Sequence, residues 1–436
     1  MTSKDNLTLE GYAMPSEAES IVFYESGKAR VEKVITPKDI YEHSLTNSKG
    51  RWGVLIQPHI VGLCPTDQAG GDLNFPPGSA RSFGDSRSPA VAGHEFVGKV
   101  VSSNKQSMEQ LAQRGIKLGD VVVGNINVGC DECFQCKRSD PSIYCDKGTA
   151  FIGVGTSPNA SWVEEQTGRP HLPGAYTKGF VVLPASNVYK VHLKNIEDIN
   201  QLAVFSQADA VACAKTSCAA MGISNFEQMR SFDNPNVLII GAGRIGAWHA
   251  AVAGELLPKI RIYLADIDEE NLNTVGDLFD IPKNQRYLVS KYSHDQYSRE
   301  NLEAVFGKNC LFDFIIDAAG HDVFDGKTVT KLLRESVANG GAFCTTSHTG
   351  IKGVEAGHPE LILGMKRFVN GLSPQNNFDY AISFLSANLK KYVPFMVEIK
   401  GGLNQELAQI VATGGGKHKK QMKGTTFYSI VNHIDF

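Results

Sequence analysis

Four cysteines crowd into the sixteen residues CDECFQCKRSDPSIYC, at Cys130, Cys133, Cys136 and Cys145. Thiolates at CxxC spacing turn toward one centre, and three of them with a fourth close by can enclose a tetrahedral Zn²⁺ with no open position. Such a site folds a lobe, here about residues 129–147, and performs no chemistry. The competing readings are a redox CxxC pair and cysteines without a ligand. A second set is dispersed: Cys64 within CPTD, and His94 and Glu95 within GHEF, on either side of a Gly-, Pro- and Ser-rich stretch from Gly70 to Pro89. Thiolate and imidazole are ligands that zinc prefers. Singly, Cys64 reads as a buried thiol and His94 as a hydrogen-bonded structural histidine. Their company with Thr66, Asp67 and Glu95 argues instead for a metal site.

A third constellation lies in NVLIIGAGRIGAWHAAVAGELLPKIRIYLAD, residues 236–266. The short apolar run Val237 to Ile240 has the length and branching of a buried parallel strand. Gly241, Gly243 and Gly246 then form GxGxxG, with Arg244 and Ile245 inside the motif, and a small-residue helix follows. The first glycine makes the tight turn, the second admits a pyrophosphate to the backbone amides, and the third lets helix and strand pack closely. Asp266 closes the next strand twenty residues after the last glycine, where it would meet the ribose hydroxyls of a dinucleotide. Its charge would repel a 2′-phosphate, so NAD is expected over NADP.

The elements that must hold these residues follow in order. The first twenty or so residues read as a flexible or capping extension. From Ser20 to Ile60, alternating apolar segments indicate strands of a β-rich domain, one of which delivers Cys64. Phe151 to Ala175 reads as a polar insertion carrying Trp162, after which GAYTKGFVVLPASNVYKV resumes the β domain. IEDINQLAVFSQADAVACAKTSCAAMG reads as one helix leading into the dinucleotide domain, where βαβ units alternate and six strands fit between about Val237 and Val369. In the tail, VPFMVEI and FYSIV are β-like runs long enough to rejoin the first domain. The expected boundaries are 1–205 for the catalytic domain, 206–368 for the dinucleotide domain and 369–436 for the returning segment.

A chain of 436 residues holds two or three domains, and 20% charged residues with a formal net charge of −3 give no electrostatic case for nucleic acid or membrane. The acidic surroundings of the four cysteines, Asp131, Glu132, Asp140 and Asp146, argue against a nucleic-acid finger. The basic run Lys417 to Lys423 reads as a solvated face. The polar N-terminus MTSKDNLTLEGY has no secretory apolar core and no apolar run is long enough to span a bilayer, so the expected compartment is the cytoplasm.

CxTD at Cys64 to Asp67, GHE at Gly93 to Glu95, four cysteines, and GAGRIG with Asp266 stand in an order that resembles the zinc-dependent medium-chain dehydrogenases, the superfamily of alcohol, polyol, threonine and archaeal glucose dehydrogenases. GAYTKGFVVLPA, FDFIIDAAG and Val369 to Gly371 add to the resemblance, which covers about Ile21 to Val431. It implies a GroES-like β-rich catalytic domain joined to a Rossmann doubly wound parallel sheet, and two Zn²⁺ per chain with NAD. By the same resemblance Cys64 and His94 bind the catalytic zinc, Glu95 is a neighbouring carboxylate or exchanging ligand, Asp67 orients His94, and Thr66 takes the substrate proton. The last ligand is expected at Gln207, with Asp209 as the second choice. Two departures are visible: Ala69 stands where many alcohol dehydrogenases have a relay histidine, and the step from Cys136 to Cys145 is one residue longer than usual.

The expected reaction moves a hydride between NAD and a secondary alcohol or aldose hydroxyl. Asp72, Asn74, Arg81, Asp85 and Arg87 in the Gly70 to Pro89 stretch suit a sugar, polyol or cyclitol-like substrate better than a fatty alcohol. The resemblance also implies a homodimer or homotetramer. The alternative is a zinc-free or non-catalytic NAD(P)-binding protein of the reductase type.

Overall fold

The computed structural model describes residues 6–25, 28–46, 51–64, 67, 91–138, 145–156, 160–169, 172–193, 198–225, 234–291, 294–308, 310–319, 324–346, 354, 359–371, 377–399, 402–413 and 427–431. The chain divides into two compact units. One comprises Met1–Asp209, Phe378–Gln421 and Tyr428–Phe436, the other Ala210–Asn377 and Met422–Phe427.

The first unit is built on an eight-stranded sheet whose central pair is Val54–Gly62 and Phe96–Asn104. Both strands are buried almost throughout, with Gln57 and Lys99 the less buried position in each. They pair antiparallel with Ile56 opposite Val100 and Val61 opposite Phe96, and the register shifts between Pro58 and Ile60, where proline has no N–H to give to the ladder. Val121–Gly124 and then Val188–Lys190 extend one side. On the other, Val181–Leu183 pairs with the upper part of Val54–Gly62, and the tail strand Phe427–Val431 pairs with its end, Val431 opposite Ile60. Ile21, Phe23, Trp52, Phe96, Tyr176 and Phe180 anchor the core, each side chain contributing roughly 1.5–3 kcal/mol by leaving water.

The second unit is a six-stranded parallel sheet in the order Arg286–Leu288, Arg261–Asp266, Asn236–Ile240, Phe312–Asp317, Val337–Thr345, Arg367–Asn370. Strand order reverses beside Asn236–Ile240, the position where doubly wound sheets open a ligand crevice. The protein is therefore an α/β chain with a GroES-like β-rich part and a Rossmann sheet.

Three expectations are corrected. Residues from Asn6 onward are not a loose extension: Asn6–Thr8 pairs with Phe96–Asn104, and Glu17–Glu25 pairs with Lys28–Ile35. The Phe151 to Ala175 segment is not a polar insertion. Its helix Trp162–Thr167 is buried through Trp162 and Val163, and Trp162 Nε1 donates to Gly148 O at 2.9 Å. The single long helix is two, Ile199–Phe205 and Ala208–Met221, because the Ser206 hydroxyl turns back to Ala203 O at 2.7 Å and competes with the helical ladder. Gln207 lies at that break.

Candidate active site

The central strand pair decides which residues meet. Val54–Gly62 ends two residues before Cys64, while Phe96–Asn104 begins immediately after Glu95. In an antiparallel pair the end of one strand lies beside the start of the other, and Gly62 N donates to Glu95 O at 2.6 Å. Cys64, His94 and Glu95, all buried, thereby place one ligand atom each within 4.8 Å of one another. Asp67, fully buried, holds His94 through Nδ1 at 2.9 Å and accepts the Gly93 and Cys64 amides at 3.1 and 3.2 Å. With Nδ1 committed to the carboxylate, Nε2 is the nitrogen left to act as a ligand.

Electrostatics follow from this burial. Burial favours the neutral ring of His94, yet the Asp67 carboxylate and the Cys64 sulfur outweigh it and hold the pKa well above its ordinary value. Burial would likewise raise Asp67, but His94 and the two backbone amides keep its pKa below the usual carboxylate value. A soft sulfur, a fixed imidazole nitrogen and a carboxylate oxygen form a donor set that suits Zn²⁺.

Gln207 comes to the same place. A Cβ at Gly62 would lie 2.8 Å from Glu95 Oε2 and 3.4 Å from Gln207 Nε2, so the absent side chain of Gly62 makes room for both. Gln207 Nε2 donates to Ser206 Oγ at 3.2 Å, and its amide oxygen provides a further ligand type. Asp209, in the first turn of the next helix, does not join the Cys64, His94 and Glu95 group. Thr66, Ala69 and the Gly70 to Pro89 stretch with Asp72, Asn74, Arg81, Asp85 and Arg87 lie outside the described residues, as does the basic run from Lys417 to Lys423.

The four sulfurs of Cys130, Cys133, Cys136 and Cys145 also lie within 4.8 Å of one another. Backbone amides point at these sulfurs, among them Cys133 N to Cys130 Sγ at 3.3 Å, Cys136 N to Cys133 Sγ at 3.5 Å and Cys130 N to Cys145 Sγ at 3.4 Å. Amides turned toward sulfur favour thiolates, the form that binds metal. Partly buried Arg51, absent from the sequence reading, donates to Gly129 O at 2.7 Å and brings a positive charge toward Cys130, Cys136 and Cys145. Across the chain no disulfide joins any of the nine cysteines.

In the second unit the geometry is made by backbone. Gly241 adopts φ 99°, a conformation open to glycine at no steric cost, and a Cβ on Gly246 would lie 1.9 Å from Gly241 O. Gly243 has nothing within 4 Å of where its Cβ would stand, so the start of the helix Arg244–Leu256, including Arg244 and Ile245, is open to an approaching anion. This is a cradle that side chains would fill, and it fits a pyrophosphate. Asp266, at the end of its strand, accepts the amides of Ala242 and Asp268, tying the glycine turn to the acidic segment that follows. A shallow, solvent-open depression beside it is lined by Ile267, Asp268, Glu269, Glu270 and Asn273.

Two further residues were not singled out in the sequence. Tyr176 reaches Asp67, and its only signal was a place in GAYTKGF. Asp317, buried at the end of its strand against the glycine turn, has its pKa pushed by burial up to about 6.

A profile of the alcohol dehydrogenase GroES-like domain matches residues 50–192. The chain is 29% identical over 223 residues to L-threonine 3-dehydrogenase of Streptomyces avermitilis, covering 51% of this chain and 52% of that protein. It is 33% identical over 132 residues to erythritol/L-threitol dehydrogenase of Mycolicibacterium smegmatis, covering 29% of this chain and 31% of the relative. The chain thus spans about half the length, or less, of these curated relatives. L-idonate 5-dehydrogenase from Escherichia coli shares the fold with a TM-score of 0.64 at 18% identity, over 98% of this chain and 100% of that one. Residues 50–192 thus carry a domain of the alcohol dehydrogenase GroES-like type, and with the landmarks already described the chain is similar to dehydrogenases of the zinc-dependent medium-chain kind.

Proposed function

We propose that the protein is a zinc- and NAD-dependent dehydrogenase that interconverts a secondary alcohol or aldose hydroxyl of a sugar, polyol or cyclitol-like substrate with its carbonyl. The observation that carries this reading is the convergence of Cys64, His94 and Glu95 around a space that the Asp67–His94 pair keeps oriented. Cys64 Sγ, His94 Nε2, Glu95 and the Gln207 amide oxygen would hold the catalytic Zn²⁺. Cys130, Cys133, Cys136 and Cys145 would hold a structural one. When bound, Zn²⁺ supplies a Lewis acid that lowers the pKa of an alcohol, and NAD supplies a carbon that accepts hydride.

The chain's own residues supply the rest. Asp67 prevents rotation of the His94 ring, and Gly62 leaves space for Glu95 and Gln207. Thr66 takes the substrate hydroxyl proton and passes it toward solvent. Gly241, Gly243 and Gly246 hold the pyrophosphate on the amides of Arg244 and Ile245. Asp266 meets the ribose, and Asp268, Glu269 and Glu270 reinforce its repulsion of a 2′-phosphate, which favours NAD over NADP.

Nine cysteines outside disulfides fit a reducing compartment, and we assign the cytoplasm. Among the described residues no helix is long and apolar enough to cross a membrane. A homodimer or homotetramer is assigned on the resemblance, and exposed Ile362, Leu363 and Met365 beside the edge strand Arg367–Asn370 are suited to such contacts.

An NAD-coupled screen over sugars, polyols, amino alcohols and cyclitols, with zinc measured in the same preparation, tests the proposal. Turnover of a polyhydroxylated substrate with about two zinc ions per chain is the expected result. Binding of NADH without turnover of any alcohol, or preference for long-chain alcohols, overturns it.

A further inference from the structure

We propose that Tyr176 is a positioning residue for the Cys64, His94 and Glu95 group, acting through Asp67; the inference rests on the reading of that group as a metal site. An ionised carboxylate has about four lone-pair directions to satisfy. Asp67 is fully buried, and among the described residues two donors reach each of its oxygens: Gly93 N and His94 Nδ1 on Oδ1 at 3.1 and 2.9 Å, Cys64 N and the Tyr176 hydroxyl on Oδ2 at 3.2 and 3.1 Å. Without the hydroxyl, Oδ2 keeps a single amide at the longest distance of the set. The Tyr176 hydroxyl also lies 3.0 Å from Gly62 O. It has one proton to give, and the charged oxygen is the stronger acceptor.

The backbone fixes where that hydroxyl can be. Residues 174–176 run against residues 91–93, the segment that ends in His94: Gly174 N donates to Val91 O at 2.8 Å, Ala175 N to Gly93 O at 2.8 Å and Tyr176 N to Ala92 O at 3.0 Å. Gly93, with φ 94°, presents its bare Cα to the Tyr176 ring, since a Cβ there would lie 2.9 Å from Tyr176 N and 3.0 Å from ring Cδ2. The ring is fully buried and its hydroxyl cannot leave Asp67 without moving the segment that carries His94. Tyr176 thus joins one strand end, through Gly62, to the carboxylate that sets the imidazole.

The test is Tyr176→Phe in the full chain, which removes only the hydroxyl and keeps the ring. Loss of the group that holds a metal-binding histidine typically weakens metal affinity by about 10–100-fold, and Tyr176 stands one contact further out, so about tenfold is expected. Chelator competition on the Zn²⁺-loaded protein is therefore expected to release one of the two metals that much more readily, leave the four-cysteine metal unchanged, and lower kcat more than it changes KM. In an Asp67→Asn background the same substitution is expected to have a much smaller effect, because both act through one carboxylate. Unchanged Zn²⁺ affinity together with a lowered unfolding temperature would show a hydroxyl that only caps the Gly62 carbonyl, and overturns the inference. Equal effects of Tyr176→Phe with and without Asp67→Asn overturn it too. A wild-type chain that holds zinc only at the four cysteines fails earlier, at the proposed function.

Discussion

In the first unit the candidate groups are side chains: sulfur, imidazole and carboxylate, carried to one place by the paired strands Val54–Gly62 and Phe96–Asn104, with the Gln207 amide approaching from a break between two helices. In the second, between Gly241 and Gly246, capability comes from missing side chains, which expose backbone amides at the start of a helix. The contrast sets how each fails. Exchanging one ligand atom disables the first kind of site while the fold around it persists, whereas adding a single methyl group disables the second and strains its scaffold as well. The four-cysteine lobe is a third case, in which side-chain chemistry and fold are one thing.

The largest effect is expected at that lobe. Cys136→Ser should remove one zinc per chain and destabilise the first unit by several kcal/mol, because metal binding in such lobes is folding free energy; metal analysis with thermal unfolding checks it. Next is Cys64→Ala, expected to lower turnover about a thousandfold, roughly 4 kcal/mol of barrier, with little change in unfolding temperature. A variant with full turnover breaks the assignment of chemistry to the first unit. Gly246→Ala should destabilise the second unit by roughly 3 kcal/mol and abolish NADH binding, read by calorimetry and fluorescence titration, since its Cβ would meet Gly241 O.

The fourth compares two buried aspartates. Among the described residues Asp67 has four donors, and its pKa is lowered; Asp317 has the Ala319 amide at 3.3 Å and the Thr345 hydroxyl at 3.2 Å, and burial pushes it from 3.8 up to about 6. A group whose folded pKa is raised contributes stability that is fully present below its unfolded pKa and lost as pH rises through the folded one. Wild-type stability from this source should thus fall between about pH 4 and pH 6, by about 2–3 kcal/mol. Asp317→Asn should flatten that part of the curve in chemical denaturation series. A variant that retains the slope assigns it to another group.

Cys130 to Cys145 were legible as a cluster because sixteen residues cannot carry four thiols far apart. The glycine turn was legible for a similar reason: strand, glycines, helix and Asp266 follow one another, and local sterics impose the shape. Other features were hidden by distance. Nothing in the spacing of Trp162 shows that it packs against Gly148, and the break at Ser206 depends on a hydroxyl that could equally have faced solvent. Tyr176 was visible as a tyrosine in a β-like run, yet its partner Asp67 lies 109 positions away.

By itself the sequence determined the inventory and the local frames: four thiols on one lobe, a bare helix start after a buried strand, and the residue types of a second ligand set. Short-range backbone geometry suffices for those, because the groups lie within a turn or one βαβ unit. Only the tertiary structure decided that Cys64, His94 and Glu95 converge, that Gln207 reaches Gly62, and that Asp67 has its fourth donor in Tyr176. The register of Val54–Gly62 against Phe96–Asn104 fixes the first meeting, and long-range backbone contacts outside the strands fix the others.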